Sequence, residues 1–116
     1  MFADDRTRLL HMLDAARDAQ EIASGCERPD LDSDKKLRYA LIQCLLVVGE
    51  AAAHISLEFQ HRHPEIEWRG AIGMRHRLVH GYAEVDLDVV WAVLRQDLPE
   101  LLAQLEAARK AEGFHA

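Results

Sequence analysis

One short stretch of the sequence concentrates side chains that suit acid–base and phosphate chemistry. Residues 74–82 read MRHRLVHGY and carry two arginines, two histidines and a tyrosine. Histidine titrates near neutral pH and transfers protons, whereas arginine presents a planar fork that matches phosphate oxygens. The combination of Arg75 with His80 therefore indicates phosphoryl chemistry.

The spacing within this stretch predicts how these groups could meet. We expect residues 68–80 to form a helix that Gly81 ends, which places His76 and His80 on one helical face. Arg75 precedes His80 by five residues, a rotation of about 140° on an ideal helix. The arginine side chain must therefore curl towards His80, or a twofold-related copy of the chain must supply the second group.

The charge of the chain is unevenly distributed. It has 14 Lys and Arg against 20 Asp and Glu, a net charge of −6. Residues 68–83 nevertheless contain Arg69, Arg75 and Arg77 and no acid. The net charge excludes a protein that coats nucleic acid generally, because such binding neutralises many phosphates. The local excess of arginine is compatible with a narrow site that attracts one anion.

Length and composition predict a single domain over residues 1–116. The chain is 49% hydrophobic with only 6 Gly and 3 Pro, which excludes disordered and low-complexity classes. Cys26 and Cys44 are the only cysteines and residues 1–10 lack a signal-peptide pattern, so we expect no disulfide and a cytoplasmic location. The longest apolar run, residues 41–55, is too short and too polar to cross a membrane.

Apolar residues that recur every three or four positions predict helices throughout. Asp4 or Asp5 caps the first helix, which ends near Gly25, and residues 26–33 form a polar connection. Asp32 or Ser33 is predicted to cap a longer helix over residues 33–60. Its apolar seam consists of Leu37, Leu41, Leu45, Val48, Ala52, Ile55 and Phe59.

A second apolar row on this long helix predicts a partner. The row includes small residues where a neighbouring backbone could come close, and its members are Ile42, Leu46, Gly49 and Ala53. A helix with two apolar sides in so small a protein exceeds what one chain can cover. We therefore expect a homodimer.

Asp86 or Asp88 is predicted to cap the last helix, and the leucine-rich stripe of this helix continues in register past Pro99. This pattern indicates one kinked helix or two helices nearly in line. Since no segment alternates convincingly with the period of a strand, the predicted fold is all-α, an up-and-down bundle of four or five helices.

The motif residues and their surroundings resemble a known family. The pattern resembles the Arg-x4-His-x-Tyr signature of HepT-like ribonuclease toxins in the HEPN superfamily. Its three residues in this sequence are Arg75, His80 and Tyr82. The likeness extends into the flanks, which read WRGAIGMR at residues 68–75, VDLDVVW at residues 85–91 and DLP at residues 97–99.

This resemblance implies a fold, an activity and partners. HEPN proteins are helical bundles that dimerise so that the Arg and His of both protomers line one cleft, and many cut RNA without a metal ion. HepT-like members pair with a minimal nucleotidyltransferase antitoxin, in a toxin–antitoxin pair of type II or VII, which transfers AMP to the motif tyrosine. By position, catalysis falls to Arg75 and His80, and modification to Tyr82. Where the family most often has Asn, this chain has His76, which could contact phosphate or transfer a proton.

The chemistry of RNA explains why a metal ion or other cofactor is not expected. The 2′-hydroxyl is an internal nucleophile beside the scissile phosphate. One His80 would take its proton, while His76 or the other subunit's copy of the same histidine protonates the leaving oxygen, and Arg75 would hold the charge that develops on phosphorus. The expected substrate is thus RNA and not DNA.

Purely structural interpretations of the same residues stay open. Arg75 and His80 could be basic residues that interact favourably with the dipole at a helix C-terminus. Tyr82 could cover the end of the bundle. His61 and His63 suit a solvated loop better than a zinc site, which needs three or four ligands.

Two other functions also stay open. One is a non-catalytic HEPN module that binds nucleotide or RNA, or an adaptor that binds only the nucleotidyltransferase. The other is a helical oligomer with no site. Loss of activity on replacing His80 would separate the ribonuclease from both.

Overall fold

The computed structural model describes residues 4–81 and 84–115, and the predicted all-α class is confirmed. The elements in chain order are α1 (Asp5–Ala23), α2 (Arg28–Ser33), α3 (Lys35–Ala53), α4 (Leu57–Arg62), α5 (Trp68–Ile72), α6 (Met74–Leu78), strands β1 (Val79–His80) and β2 (Glu84–Val85), α7 (Leu87–Ala92), a π-helical segment (Val93–Asp97) and α8 (Leu98–Glu112).

The three long helices α1, α3 and α8 form the body of the molecule, with α1 packed against both α3 and α8. Asp4 caps α1 as predicted, since its carboxylate accepts the Thr7 N–H at 2.9 Å. Apolar side chains from all three helices fill the core, including Leu9, Met12, Leu13, Leu41, Leu45, Val48 and Leu105. Within the described residues, none of the helices combines the length and apolar character needed to span a membrane.

The predicted polar connection between the first two long helices is itself helical. It contains α2, where the Glu27 N–H donates to the Asp30 carboxylate at 2.8 Å and the N-terminus is thereby satisfied. The cap of α3 is Asp34, and not Asp32 or Ser33 as the sequence suggested. The polar composition correctly predicts that the first long helix ends here, but the connection contains a six-residue helix.

The long helix predicted over residues 33–60 is interrupted, because α3 ends at Ala53 and α4 begins at Leu57. Ser56 causes the break. Its N–H and hydroxyl both bond to the Asp5 carboxylate, at 2.8 and 2.7 Å, and its hydroxyl oxygen caps α4 by accepting the Phe59 N–H at 3.1 Å. The apolar seam nevertheless stays buried from Leu41 to Phe59, which is 0% exposed, and Leu37 at its start is partly buried.

His63 corrects the prediction of a solvated loop. Its side chain is buried, with Nε2 2.6 Å from the Glu112 carboxylate at the end of α8. The Phe59 ring lies 4.7 Å away between centroids, and the Trp68 indole donates to the His63 carbonyl at 2.9 Å. The partner that buries this histidine is 49 residues away in sequence, so local composition could not indicate it.

Gly49 allows α5 and α6 to approach α3 closely. A Cβ at this glycine would lie 2.8 Å from the Met74 Cβ and 3.0 Å from the Ala71 carbonyl oxygen, closer than van der Waals contact permits. The small-residue row predicted such an approach, and at Gly49 the neighbour belongs to the same chain. The homodimer stays a prediction.

The last helical stripe runs through a π-helical segment. Asp86 caps α7, and the backbone keeps right-handed helical angles at Ala92 and Leu98, on either side of the π-helical segment. Pro99 follows in the first turn of α8, where a missing N–H is tolerated. The helical backbone is therefore continuous from α7 to the end of α8, as the stripe that keeps its register past Pro99 predicted.

We expect Gly49→Ala to lower the free energy of unfolding by about 1–3 kcal/mol, because the added methyl group overpacks the contact with Met74. This loss exceeds the gain of at most about 1 kcal/mol that alanine brings inside a helix. Chemical denaturation measures it. Gly70→Ala is the control, since its Cβ would meet only the flexible side chains of Glu67 and Arg77. An unchanged stability in Gly49→Ala would contradict the close packing.

A second prediction concerns the carboxylate of Glu112. Hydrogen bonds from the Arg62 guanidinium, and then from His63, hold its pKa below the usual range. A carboxyl with a lowered pKa in the folded state stabilises the fold above its unfolded pKa and loses that effect as the pH falls through the folded one. We therefore expect Glu112→Gln to melt below the wild type at neutral pH, with the difference shrinking under acid conditions.

Melting temperatures measured across the acid range check this expectation. Glu58→Gln is the matched control, because Glu58 also pairs with Arg62 but is 84% exposed, and exposed pairs contribute little. A difference between Glu112→Gln and the wild type that stays constant with pH would contradict the proposed ion pair.

Candidate active site

Helix α6 carries the first residues of the motif, and its inner face packs into the core. Met74 and Leu78 are 2% and 0% exposed and pack into the core. Arg75 and His76, between them in the sequence, are exposed. The apolar anchors therefore fix the backbone while the polar side chains remain accessible.

The chain leaves the helix earlier than predicted. Helix α6 ends at Leu78, and His80 lies in β1, so the expected common helical face for His76 and His80 is wrong. The Asp86 N–H donates to the Leu78 carbonyl at 2.8 Å, which gives that carbonyl a partner outside the helix. The β-branched Val79 also favours the extended backbone that follows.

A short antiparallel hairpin presents His80. Val79 lies opposite Val85, and His80 opposite Glu84. Gly81 begins the turn with a φ of +76°, a left-handed conformation that glycine adopts without steric cost. The predicted helix end at this glycine is therefore wrong, because α6 ends at Leu78 and Gly81 instead follows β1.

Two carboxylates lie on the same side of the hairpin as His80. Glu84 is its direct cross-strand neighbour, and the Asp86 Oδ2 atom lies 3.8 Å from the His80 Nε2 atom. The His80 side chain is 60% exposed and that of Asp86 38%. The imidazole is therefore open to a substrate while negative charge lies behind it.

The arginines of the basic stretch differ in their partners. The Arg77 Nη2 atom lies 2.7 Å from the Asp97 carboxylate, an ion pair that fastens α6 to the π-helical segment. Within residues 4–81 and 84–115, Arg69 and Arg75 make no hydrogen bond or ion pair through their side chains. The local positive charge is therefore smaller than the sequence suggested, and Arg75 is the cation of the motif that is free to meet an anion.

The sequence-predicted residues are only partly assembled in one chain. Arg75 and His76 project from α6, and His80 follows in the next element. No hydrogen bond among the described residues joins any two of these three side chains. Tyr82 lies outside the described residues. The arrangement offers one accessible guanidinium and two accessible imidazoles, the groups needed to bind a phosphodiester and move protons on and off it.

Sequence interpretation missed one residue at this site. Asp86 was expected only as a helix cap, and it does fill that role, but its second carboxylate oxygen faces His80. The sequence does indicate this contact through the spacing of His80 and Asp86. Gly81 lies within this His-x5-Asp segment and permits a hairpin that brings Asp86 back towards His80.

Comparison with known proteins identifies the class to which this fold and site belong. A family model described as "Ribonuclease HepT-like" matches residues 12–108. The chain therefore belongs to the HepT-like ribonuclease family, as the resemblance of the motif and its flanks indicated.

Individual relatives agree with this assignment. The chain is 41% identical over 81 residues to a probable ribonuclease HepT of Thermococcus cleftensis, covering 70% of this chain and 74% of the relative. It is 28% identical over 103 residues to an archaeal protein named "Putative RNase MJ1380" from Methanocaldococcus jannaschii, covering 89% and 94%. No solved structure matches the chain.

Proposed function

We propose that this protein is an endoribonuclease toxin that cleaves RNA without a metal ion, with Arg75 and His80 as its catalytic residues. Membership of a ribonuclease family supports the reaction class. The observation that carries the assignment of residues is an exposed Arg75 with no ion pair among residues 4–81 and 84–115, followed after Leu78 by an accessible His80. Both belong to a segment that Met74 and Leu78 fix in the core.

The reaction follows from the chemistry of these groups. A neutral His80 accepts the proton of the RNA 2′-hydroxyl, whose oxygen attacks the adjacent phosphorus. The bond from phosphorus to the 5′ oxygen breaks, and a protonated imidazole gives that oxygen its proton. Arg75 stabilises the negative charge on the phosphoryl oxygens. The products are a 2′,3′-cyclic phosphate and a 5′-hydroxyl.

The proposed acid is supplied by a second imidazole. The proton donor must lie on the opposite side of phosphorus from the base, because attack and departure occur in line. His76 belongs to α6 and His80 to β1, so the two do not share the helical face that would have brought them together. We propose that a homodimer pairs two motifs in one cleft and that His76 contacts the phosphate.

Control of the toxin is proposed to act on the same motif. A minimal nucleotidyltransferase antitoxin would transfer AMP from ATP to the hydroxyl of Tyr82, two residues after His80, with release of pyrophosphate. A bulky, negatively charged nucleotide at this position would repel the RNA phosphate and block access to the histidine.

The first test is RNA cleavage by point variants. We expect His80→Ala to slow cleavage by about 10²–10⁴ through loss of proton transfer, and Arg75→Ala by about 10²–10³ through loss of charge stabilisation. His61→Ala, a change at an exposed histidine of α4, should retain wild-type activity. Cleavage of total cellular RNA, followed by end-group analysis of the products, measures these effects.

The substrate and the buffer provide the controls for mechanism. A deoxyribose at the cleavage position removes the nucleophile and should abolish cutting, whereas EDTA should leave the rate unchanged. Equal cleavage by His80→Ala and wild type would reject the catalytic role and favour a binding or adaptor module. Cleavage that survives the deoxyribose and fails in EDTA would reject the proposed mechanism.

Modification of Tyr82 is tested by coexpression with the minimal nucleotidyltransferase antitoxin proposed above. We expect intact-mass spectrometry to show one added AMP on the wild type and none on Tyr82→Phe, which keeps the ring and lacks the acceptor hydroxyl. Tyr39→Phe is the matched control, since Tyr39 is 62% exposed on α3. AMP on Tyr39, or on neither tyrosine, would reject the proposed control.

A further inference from the structure

Asp86 stands at the junction of the hairpin and α7, and its two carboxylate oxygens have different surroundings. Oδ1 accepts the backbone N–H groups of Asp88 and Val89, at 3.1 and 3.2 Å, and so caps α7. Oδ2 takes no part in the cap and lies 3.8 Å from the His80 Nε2 atom. One carboxylate therefore connects a helix N-terminus to the proposed catalytic histidine.

The backbone fixes this arrangement. The hairpin register places His80 opposite Glu84, and side chains two residues apart on a strand share a face. Asp86 therefore lies diagonally across from His80, held there by its own N–H bond to the Leu78 carbonyl at 2.8 Å. Because the cap holds Oδ1, rotation of the side chain is restricted and Oδ2 stays directed towards the imidazole.

We propose that Asp86 is a positioning residue for His80 in the ribonuclease reaction, an inference that rests on the function proposed above. The carboxylate accepts the Nε2–H of the imidazole, orients the ring and leaves the lone pair of Nδ1 for the 2′-hydroxyl. The same negative charge stabilises the imidazolium that forms after proton transfer. The separation of 3.8 Å exceeds a hydrogen bond, and such contacts in unliganded enzymes shorten when substrate binds.

Glu84 supplies an internal comparison. It carries the same charge, lies on the same face of the hairpin and is the direct neighbour of His80 across the strands. It is exposed, however, and its side chain makes no hydrogen bond within the described part of the chain. Without an anchor like the cap at Asp86, its carboxylate is not held in one orientation, and we assign it no positioning role.

Substitutions that keep the cap separate the two roles of Asp86. Asparagine and serine cap helices about as well as aspartate, but Asp86→Asn removes the charge and Asp86→Ser also shortens the reach to His80. We expect both to lower kcat by about tenfold to a hundredfold, with KM and melting temperature unchanged, because a positioning residue acts through His80 and both variants keep the cap. Glu84→Gln, and Asp34→Asn at the cap of α3, should retain wild-type kcat.

The assay uses the full chain and a short RNA that spans a site found in digests of total RNA. Wild-type kcat in both Asp86→Asn and Asp86→Ser, with His80→Ala inactive, would show that Asp86 only caps α7 and would overturn this inference alone. An equal fall in Glu84→Gln would assign the effect to general negative charge and also overturn it. If His80→Ala cleaves as well as wild type, the proposed function itself fails.

Discussion

The site depends on the close contact between α3 and the paired helices α5 and α6. Gly49 has no side chain where a Cβ would meet Met74 at 2.8 Å, so the backbones approach until Met74 and Leu78 are buried. A five-residue helix has too few internal hydrogen bonds to be stable alone. Burial of α6 against α3 therefore stabilises this helix, and Arg75 projects from it at a defined position.

The same hydrogen bond that ends α6 also builds the site. By donating to the Leu78 carbonyl, the Asp86 N–H stops the helix before His80 and starts the hairpin. The side chain of Asp86 then caps α7 and faces His80. Asp86 thus takes part both in local folding and in the proposed chemistry. Because the backbone N–H groups of α7 hold its carboxylate, Asp86 keeps its orientation without being buried.

Much of the fold could be predicted from periodicity and capping residues, including the cap of α1 at Asp4 and the buried seam of α3. The interruption after α3 could not, because it depends on bonds between Ser56 and Asp5, which are 51 residues apart. Similarly, the motif residues were evident from spacing and family resemblance. The strand at His80 was missed because Asp86, whose N–H bonds to the Leu78 carbonyl where α6 ends, looks like an ordinary helix cap in sequence.

The distribution of charge around the motif limits how RNA can be held. Arg77 is paired with Asp97, and Glu84 and Asp86 place negative charge beside His80, on a chain whose net charge is −6. Affinity for a polyphosphate grows with the number of phosphates neutralised, so one such motif binds an RNA backbone weakly. A second motif adds both another guanidinium and the imidazole that in-line cleavage requires on the far side of phosphorus. Phosphate binding and proton transfer would therefore both need a second motif, and this is why we propose a dimer.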